Sequence, residues 1–505
     1  MIQTGKPKPW DQLFLAPWHF LLLIAFFLTD GCVEFPGLLP FTDLAAYFGM
    51  AAAITFAAYF LFRYLFRSAH KAALLVTTAT GLYLFYGTIQ DALAANVLGK
   101  AIYRDHKLLP LLAGLLLLLG IILGRTKRPL LRLTRYLNTL LLVLLLLNGG
   151  RMGMQAGWGT SGAHAVTSKP APVAGRICDT CAKPDIFLLL LDEYTGLDML
   201  REKWDYSNDP FVRTLREQQF FVADHPSSNY SYTPFSMAAT FEMEYPGWVK
   251  DLGQIQAQDY TYAANRISGS TALRYLQGSG YRLVNNSIFD IQDQPSQYDP
   301  GFLSLKFQLL TARTCWPRLK RSWFWGINVG RFFRLGGPGE GNREMVRKGN
   351  QGILDRVYAL AGDTAGGPRF VYTHLMLPHE PFLYDSLGRP APPVDAGVEG
   401  STEGKKAAYL QYLVHANGVV GKLVRHIREQ TGDRAVILVL SDHGFRQMDM
   451  DWVVKNINNN FSAVYLPKKN YESYYDTLSN VNQFRVLFNS LFDAGFTVLK
   501  DSCVF

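Results

Sequence analysis

Apolar residues dominate the first 150 positions of this 505-residue chain, in runs that polar or basic residues separate. The runs cover residues 17–40, 44–66, 72–92, 107–124 and 134–149. Each approaches the ~20 residues that an α-helix needs to cross the hydrocarbon core of a bilayer. The pattern therefore predicts five transmembrane helices within residues 1–150, and runs that follow one another so closely are not typical of a cleaved signal peptide.

The pattern changes after residue 150. Residues 151–183 are rich in Gly, Ala, Pro, Ser and Thr and have no apolar period, which indicates a linker. From residue 184 onward, short apolar runs alternate with amphipathic stretches. They predict strands at 186–191, 219–223, 281–284, 369–374 and 435–440, and helices near 208–218, 271–277, 342–361 and 405–429. Residues 184–505 are thus predicted to form an α/β domain whose mostly parallel sheet carries helices on both faces.

The positive charge of the chain is concentrated in its apolar part. Of the formal net charge of +9, residues 1–150 carry +7 and the remainder only +2, which argues against nucleic acid as a partner. Ten basic residues lie before the first apolar run, between the second and third runs, or between the fourth and fifth runs. The loops on the opposite side of the predicted membrane hold only three. The positive-inside rule predicts a cytoplasmic N-terminus, and five crossings would leave the C-terminal domain outside the cell membrane.

Two of the five cysteines, Cys178 and Cys181, form a CxxC pair just ahead of the strand predicted at 186–191. Such a pair can be half of a zinc site, a redox centre or a local disulfide. The chain has no second CxxC for a zinc ribbon, and a redox pair should follow a strand rather than precede it. The preferred interpretation is a structural disulfide in an oxidising compartment.

Carboxylates follow two of the predicted buried strands. Asp192 and Glu193 come directly after 186–191, and Asp442 with His443 comes after 435–440. The carboxyl ends of strands in an open α/β sheet are where ligands bind. Each acid alone could be a helix cap, but the repeated pattern of strand and then acid favours a shared site.

Hydroxyl and imidazole groups complete the set of candidate residues. Thr233 stands before Pro234, and this pair predicts a helix start at which the hydroxyl lies near the positive end of the helix dipole. A plain N-cap is the simpler interpretation of Thr233 taken alone. His374 ends the strand predicted at 369–374, and His379 follows in a loop between two prolines.

The order of these motifs resembles the alkaline phosphatase and sulfatase superfamily: Asp192 after a strand, Thr233 with Ser236, the two histidines, and Ser441-Asp-His-Gly444. With five predicted spans in front, the chain resembles the membrane-anchored branch that contains phosphoethanolamine transferases and lipoteichoic acid synthases. That branch works at the bacterial cytoplasmic (inner) membrane, as a multi-pass protein with its catalytic domain on the periplasmic or extracellular side.

The resemblance implies a role for each residue. Asp192, Thr233, Asp442 and His443 would bind one divalent ion, zinc or manganese, and Thr233 would be the nucleophile. His374 and His379 would contact the substrate phosphate or help to hold a possible second ion. Glu193 lies where sulfatases have a second acid, which makes it a weaker candidate for the same role.

The implied function is transfer of a phospho-head group, of the phosphoethanolamine or glycerol-phosphate type, from a membrane phospholipid to an envelope glycan or lipid. The alternatives are an extracytoplasmic phosphodiesterase or phosphatase with water as acceptor, and a catalytically silent membrane receptor. Two motifs depart from the transferase pattern and leave head group and acceptor open. Leu191 to Thr195 replaces Gly-Glu-Thr-Ala-Arg, and Pro378 to Pro381 replaces Ser-His-Gly-Pro.

One further segment, residues 318–334, mixes basic and aromatic side chains. This composition suits the lipid headgroup region and predicts a surface that steers the domain toward a phospholipid. A partly buried surface helix or loop is the alternative interpretation.

Overall fold

The computed structural model describes residues 14–96, 101–157, 175–249, 255, 257–298, 305–323, 340–363, 366–394, 402–446 and 456–504. These residues form two compact units. The first contains the described residues up to 157 together with 305–323, and the second contains the rest. The segment 305–323 therefore belongs to the helical unit, although it lies within the sequence of the α/β domain.

The first unit is helical. Its helices are α1 (His19–Glu34), α2 (Phe41–Phe66), α3 (Ala69–Leu84), α4 (Tyr86–Ala95), α5 (Asp105–Arg125), α6 (Leu131–Gly157), α11 (Leu305–Thr311) and α12 (Cys315–Trp323). Helix α1 packs against α2, α3 and α6. Because neighbouring helices cover α1 on several sides, seven of its residues are buried.

The five predicted spans are not confirmed. Among the described residues, three helices, α2, α5 and α6, are long and apolar enough to cross a membrane, and a fourth span results if α3 and α4 count as one. Helix α1 has 16 residues and is only about 24 Å long, because Pro36 and Gly37 follow its end and a proline cannot continue a helix. The third apolar run is divided at Phe85 by a bend of 60°.

The segment 305–323 is held to the first unit by specific polar contacts. The N–H of Gly87 donates to the carbonyl of Arg313 over 2.7 Å, and Arg313 forms an ion pair with Glu34. Arg318 donates to both carboxylate oxygens of Asp91, at 2.8 and 2.6 Å. Residues 324–334, the rest of the predicted basic and aromatic surface, lie outside the described residues.

The second unit is built on one six-stranded sheet. Its strands are β1 (Ile186–Leu191), β2 (Phe221–Val222), β3 (Arg282–Asn286), β4 (Arg369–Leu375), β5 (Val436–Ser441) and β6 (Ser462–Tyr465), in the order β2-β6-β5-β1-β4-β3. Its helices are α7 (Asp209–Glu217), α8 (Thr233–Glu242), α9 (Ala257–Ser268), α10 (Thr271–Gly278), α13 (Glu340–Gly362), α14 (Thr402–Thr431) and α15 (Gln483–Phe492). A π-helical turn at Met199–Lys203 and a 3₁₀ turn at Asn480–Asn482 complete it.

The prediction of a mostly parallel sheet is wrong, because the sheet is mixed. β1 pairs in parallel with β4 and β5, and β3 with β4, but β6 runs antiparallel to both β5 and β2. A parallel connection usually needs a crossover helix. β6 instead follows β5 after residues 442–461 and pairs beside it in the opposite direction. The sequence analysis missed β6 because its four residues show no distinctive period.

The centre of the sheet explains the apolar runs that predicted it. All six side chains of β1 and all six of β5 are buried, since helices cover both faces. Burying one such Leu or Ile contributes roughly 1.5–3 kcal/mol, so the two strands make a large share of the core. Their ends are consequently well anchored, and the side chains that follow them are held in place.

The CxxC pair is oxidised. Cys178 and Cys181 form a disulfide just ahead of β1, as the sequence analysis preferred, while Cys32, Cys315 and Cys503 are free thiols. Disulfides persist in oxidising compartments.

Candidate metal centre

The carboxyl ends of the three central parallel strands meet at one edge of the sheet. In the register of the sheet, Leu191 at the end of β1 lies opposite Leu375 of β4 and Ser441 of β5. Asp192 and Asp442 are the next residues along their strands, so they emerge side by side. The structure brings them together, as expected for ligands at the carboxyl edge of an α/β sheet.

Each of these carboxylates keeps one oxygen without a protein partner in the described part of the chain. The Oδ1 of Asp442 accepts the N–H groups of Glu193 at 3.0 Å and of His443 at 2.9 Å, whereas its Oδ2 has no hydrogen bond. The Oδ1 of Asp192 is likewise without one. Both side chains are buried, and an unpaired buried carboxylate oxygen costs free energy unless a cation or donor satisfies it.

His443 supplies a third donor atom. Its Nδ1 lies 2.8 Å from the carbonyl of Gly444, to which it donates, so the tautomer leaves a lone pair on Nε2. That Nε2 lies 3.3 Å from Asp442 Oδ2 and 3.4 Å from Thr233 Oγ1. Metal-binding histidines in proteins commonly donate their other ring N–H to a backbone carbonyl, which fixes the orientation of the ring.

Asp192, Asp442 and His443 together fit a divalent cation. Their donor atoms lie within 4.8 Å of one another, and all three side chains are buried. Two carboxylate oxygens and one imidazole nitrogen are a mixed set that suits zinc or manganese. The unpartnered oxygens of the two acids are the observation that supports a metal at this place.

Thr233 lies beside this triad, at the start of α8. Its hydroxyl is 3.4 Å from His443 Nε2, and its side chain is partly exposed, unlike the three triad residues. Helix α8 begins at Thr233 itself with Tyr232 as the N-cap, one residue earlier than the sequence predicts. The N–H groups of Phe235 and Ser236 donate to the Tyr232 carbonyl, so the first turn offers fewer donors to a ligand than a bare helix end.

His374 stands behind Asp192 rather than beside Thr233. It is fully buried, its Nδ1 is 3.0 Å from the hydroxyl of Tyr372, and its Nε2 is 3.3 Å from Asp192 Oδ2. Tyr372 donates to Nδ1 and Nε2–H donates to the carboxylate. Burial raises the pKa of Tyr372, and Asp442 and Asp192 raise it further, so the phenol stays protonated as this relay requires.

The ionised state of Asp192 is favoured by its neighbours. Burial alone would raise its pKa, but the charge of His379 and the hydrogen bond from His374 outweigh burial and lower the pKa below its ordinary value. Asp192 is therefore available as an anionic ligand.

Glu193 does not belong to the triad. It is fully buried, and its backbone φ of 62° is an unusual value for a non-glycine residue. Its Oε1 accepts the N–H of Arg446 at 2.9 Å and lies 3.7 Å from Arg446 Nε, and its Oε2 lies 3.7 Å from His379 Nε2. His379 is thus placed beside Glu193 and Arg446.

The environment of His379 and Arg446 is anionic. Burial lowers the pKa of His379, but Asp192 and Glu193 raise it to a net value above the ordinary one. Burial likewise opposes the charge of Arg446, and Glu193, Asp192 and Asp442 more than compensate, raising its pKa. The sequence analysis missed Arg446, because a single arginine after Phe445 carries no motif.

The turn that carries Asp442 and His443 is held by residues that the sequence analysis did not assign. Ser236 Oγ donates to the Asp442 carbonyl at 2.6 Å, and Asn480 Nδ2 donates to the Ser441 carbonyl at 2.9 Å. A Cβ at Gly444 would lie 2.4 Å from the carbonyl oxygen of Asn459, so close backbone approach requires glycine there.

Comparison with known proteins finds a family model that matches part of this domain. Residues 273–484 match the family model described as Sulfatase, a range that includes His374, His379, Asp442 and His443. This match agrees with the superfamily resemblance drawn from the motifs, over the residues that it covers. Asp192 and Thr233 precede the matched residues. No curated protein sequence matches the chain.

Several solved structures are similar. The C-terminal periplasmic domain of EcEptC from Escherichia coli is 12% identical, covers 64% of this chain and 86% of its own, and has a TM-score of 0.40. The same domain in complex with Zn is also 12% identical; the match covers 64% of this chain and 87% of that domain, with a TM-score of 0.39. The integral membrane protein lipooligosaccharide phosphoethanolamine transferase A (EptA) from Neisseria meningitidis is 12% identical. The match covers 96% of this chain and 96% of that protein, with a TM-score of 0.38.

Proposed function

We propose that this protein is a membrane-anchored, metal-dependent transferase. It would move a phospho-head group, of the phosphoethanolamine or glycerol-phosphate type, from a membrane phospholipid to an envelope glycan or lipid. The observation that carries the proposal is the position of the Thr233 hydroxyl, 3.4 Å from His443 Nε2 and beside two carboxylates with unpartnered buried oxygens. A nucleophile next to a preformed cation site is the arrangement that phosphoryl transfer needs.

The residues that would hold the ion are Asp192, Asp442 and His443, with Thr233 as the fourth ligand. A bound zinc or manganese ion would favour the alkoxide form of the threonine and stabilise negative charge on the phosphoryl oxygens. The protein prepares these ligands in advance. Tyr372 and His374 orient Asp192, and the backbone N–H groups of Glu193 and His443 orient Asp442.

Thr233 would carry the phosphoryl group between two steps. In the first, Oγ1 bonds to phosphorus while the bond from phosphorus to the diacylglycerol oxygen breaks; Thr233 gives up one proton and the leaving diacylglycerol takes up one. In the second, an acceptor hydroxyl attacks the phospho-threonine and Thr233 regains its proton. Each step exchanges one P–O bond for another, so neither needs an external energy source.

Two observations separate this proposal from its alternatives. Sulfatases of this superfamily use a formylglycine made from Cys or Ser, and Thr233 cannot be converted to one, which disfavours sulfate esters. A silent receptor would have no need of an intact nucleophile and triad. Water could still resolve the phospho-threonine, which makes a phosphodiesterase or phosphatase the second candidate function.

The decisive experiment compares acceptors. Purified full-length protein in lipid nanodiscs would be given phospholipids labelled in the head group, one class at a time, with and without extracted envelope lipid and glycan. We expect label on the acceptor fraction only when that fraction is present, with diacylglycerol as co-product. Release of free phospho-head group at the same rate with and without acceptor would instead assign the hydrolase.

Membrane orientation is a separate prediction. With a cytoplasmic N-terminus, an odd number of crossings places the second unit outside the cell, and four crossings would not. The basic residues and the disulfide favour the outside location, at the bacterial cytoplasmic membrane. An alkaline phosphatase reporter fused after Phe505 should be active and a green fluorescent protein fusion dark; the reverse result would contradict this orientation.

A further inference from the structure

We propose that Arg446 is a substrate-binding residue that supplies the second positive charge of the site, and that Glu193 and His379 hold its guanidinium rather than a second metal ion. Its ligand would be the non-bridging oxygens of the transferred phosphate ester. This inference rests on the proposed phosphoryl transfer and deepens it.

Both donors of a possible second metal site already have partners. Nη2 of Arg446 lies 3.2 Å from His379 Nε2, and His379 Nδ1 lies 2.6 Å from the Glu380 carbonyl, so both ring nitrogens are in contact with polar groups of the chain. Oε1 of Glu193 accepts the main-chain N–H of Arg446 and faces its Nε. A second metal ion could bind His379 Nε2 and Glu193 Oε1 only by displacing the guanidinium of Arg446.

The balance of charge in the site also favours Arg446 over a second metal ion. Three buried carboxylates converge on the site, those of Asp192, Asp442 and Glu193. One divalent cation balances the two aspartates, and Arg446 balances Glu193. A second divalent ion in addition to Arg446 would leave an excess of two positive charges in a buried site, which is costly.

The position of Arg446 makes its side chain accessible to a substrate. Arg446 lies on the open side of the site, since its side chain is 28% exposed and that of His379 is 16% exposed, while those of Glu193 and Asp442 are 0% exposed. Its guanidinium carbon is 5.6 Å from the ring centroid of Tyr232, the residue before the nucleophile. The ring and Glu193 together restrict the guanidinium, and they hold it near the residue that precedes Thr233.

Arginine suits this task. Its planar fork of five N–H donors can bind a phosphate oxygen while it stays paired with Glu193, and it remains charged at any physiological pH. Glu193 would be a positioning residue for Arg446. The positive φ of Glu193 then has a functional explanation.

The test measures inorganic phosphate binding and metal content in the full-length protein. Arg446→Gln keeps the main-chain N–H that Glu193 accepts but removes the charge. We expect its phosphate affinity, from isothermal titration, to fall by about tenfold or more, because it loses a charge-assisted hydrogen bond. Metal content should stay at one equivalent. Arg446→Lys should recover only part of the affinity, since an ammonium lacks the fork.

Glu193→Gln separates the two roles of the acid. If Glu193 positions Arg446, this variant keeps one metal equivalent and binds phosphate more weakly. Arg434→Gln, at the opposite end of β5, is the charge-matched control and should behave as wild type. Two metal equivalents in the wild type, metal loss in Glu193→Gln, or unchanged phosphate affinity in Arg446→Gln would each overturn the inference.

Failure of this inference can be distinguished from failure of the proposed function. If Arg446→Gln binds phosphate normally but wild type still forms a phospho-Thr233 adduct, only the assignment of Arg446 fails. If wild type binds no phosphate and forms no adduct, the transferase proposal itself fails.

Discussion

Replacing Thr233 by Ala should reduce phospho-head-group transfer by at least about 10³-fold, the order of loss seen when a catalytic nucleophile is removed. The reason is that Ser236, the other hydroxyl in the first turn of α8, cannot replace it, since Ser236 is fully buried and bonded to the Asp442 carbonyl. Thr233→Ser keeps a hydroxyl at the same place and should retain measurable transfer.

Intact-protein mass spectrometry reports the same step directly. After incubation with native membrane lipid, wild type and Thr233→Ser should gain the mass of a phospho-head group, and Thr233→Ala and the isosteric Thr233→Val should not. Thr214→Ala, on the exposed side of α7, is the matched control and should gain the mass as wild type does. An adduct on the Ala and Val variants would rule out Thr233 as the nucleophile.

Replacing Asp442 by Asn should abolish metal binding and, in the absence of metal, leave the protein at least as stable as wild type. Asn keeps the oxygen that accepts the N–H groups of Glu193 and His443, and it replaces the unpartnered Oδ2 by an NH₂ that can donate to His443 Nε2 at 3.3 Å. It also removes one of two neighbouring buried negative charges, whose repulsion destabilises the metal-free fold. Charge removal thus has opposite effects on the metal site and on the apo protein.

Metal content and thermal unfolding with and without chelator measure both effects. A ligand present at 1,000 times its dissociation constant stabilises the native state by about 4 kcal/mol, so chelation should lower the melting temperature of wild type by several degrees. Asp442→Asn should hold no metal and show no response to chelator. Asp433→Asn, at the other end of β5, should respond as wild type. A full metal equivalent in Asp442→Asn would refute the site.

The sequence predicted much of the second unit, because its central strands are buried on both faces and therefore read as continuous apolar runs. β1, β4 and β5 begin and end within one residue of their predicted bounds. The same runs could not reveal β6, whose pairing partner is far away in the sequence. In the first unit, apolar composition predicted helices but not their division, since a proline after α1 and a bend at Phe85 decide what can span a bilayer.

The candidate site divides in the same way. A pattern of strand and then acid, repeated at Asp192 and Asp442, is a local signal, and parallel strands bring such ends together by construction. His374, Glu193 and His379 stand in equally suggestive positions, yet their roles depend on directions that no local pattern encodes. His374 forms a hydrogen bond with Asp192, and Glu193 accepts one from Arg446, which is 253 positions away in the sequence.

The sequence by itself thus determined that this chain joins apolar helices to an α/β domain, and which acids, hydroxyl and imidazoles stand at the strand ends. The tertiary structure decided how those groups divide between a metal triad, the relay behind Asp192 and the pair of Glu193 with Arg446. The physical reason is that strand periodicity specifies where a residue lies along the chain. Which oxygen remains unpartnered, and which carboxylate is neutralised by which cation, follows only from contacts between segments distant in the sequence.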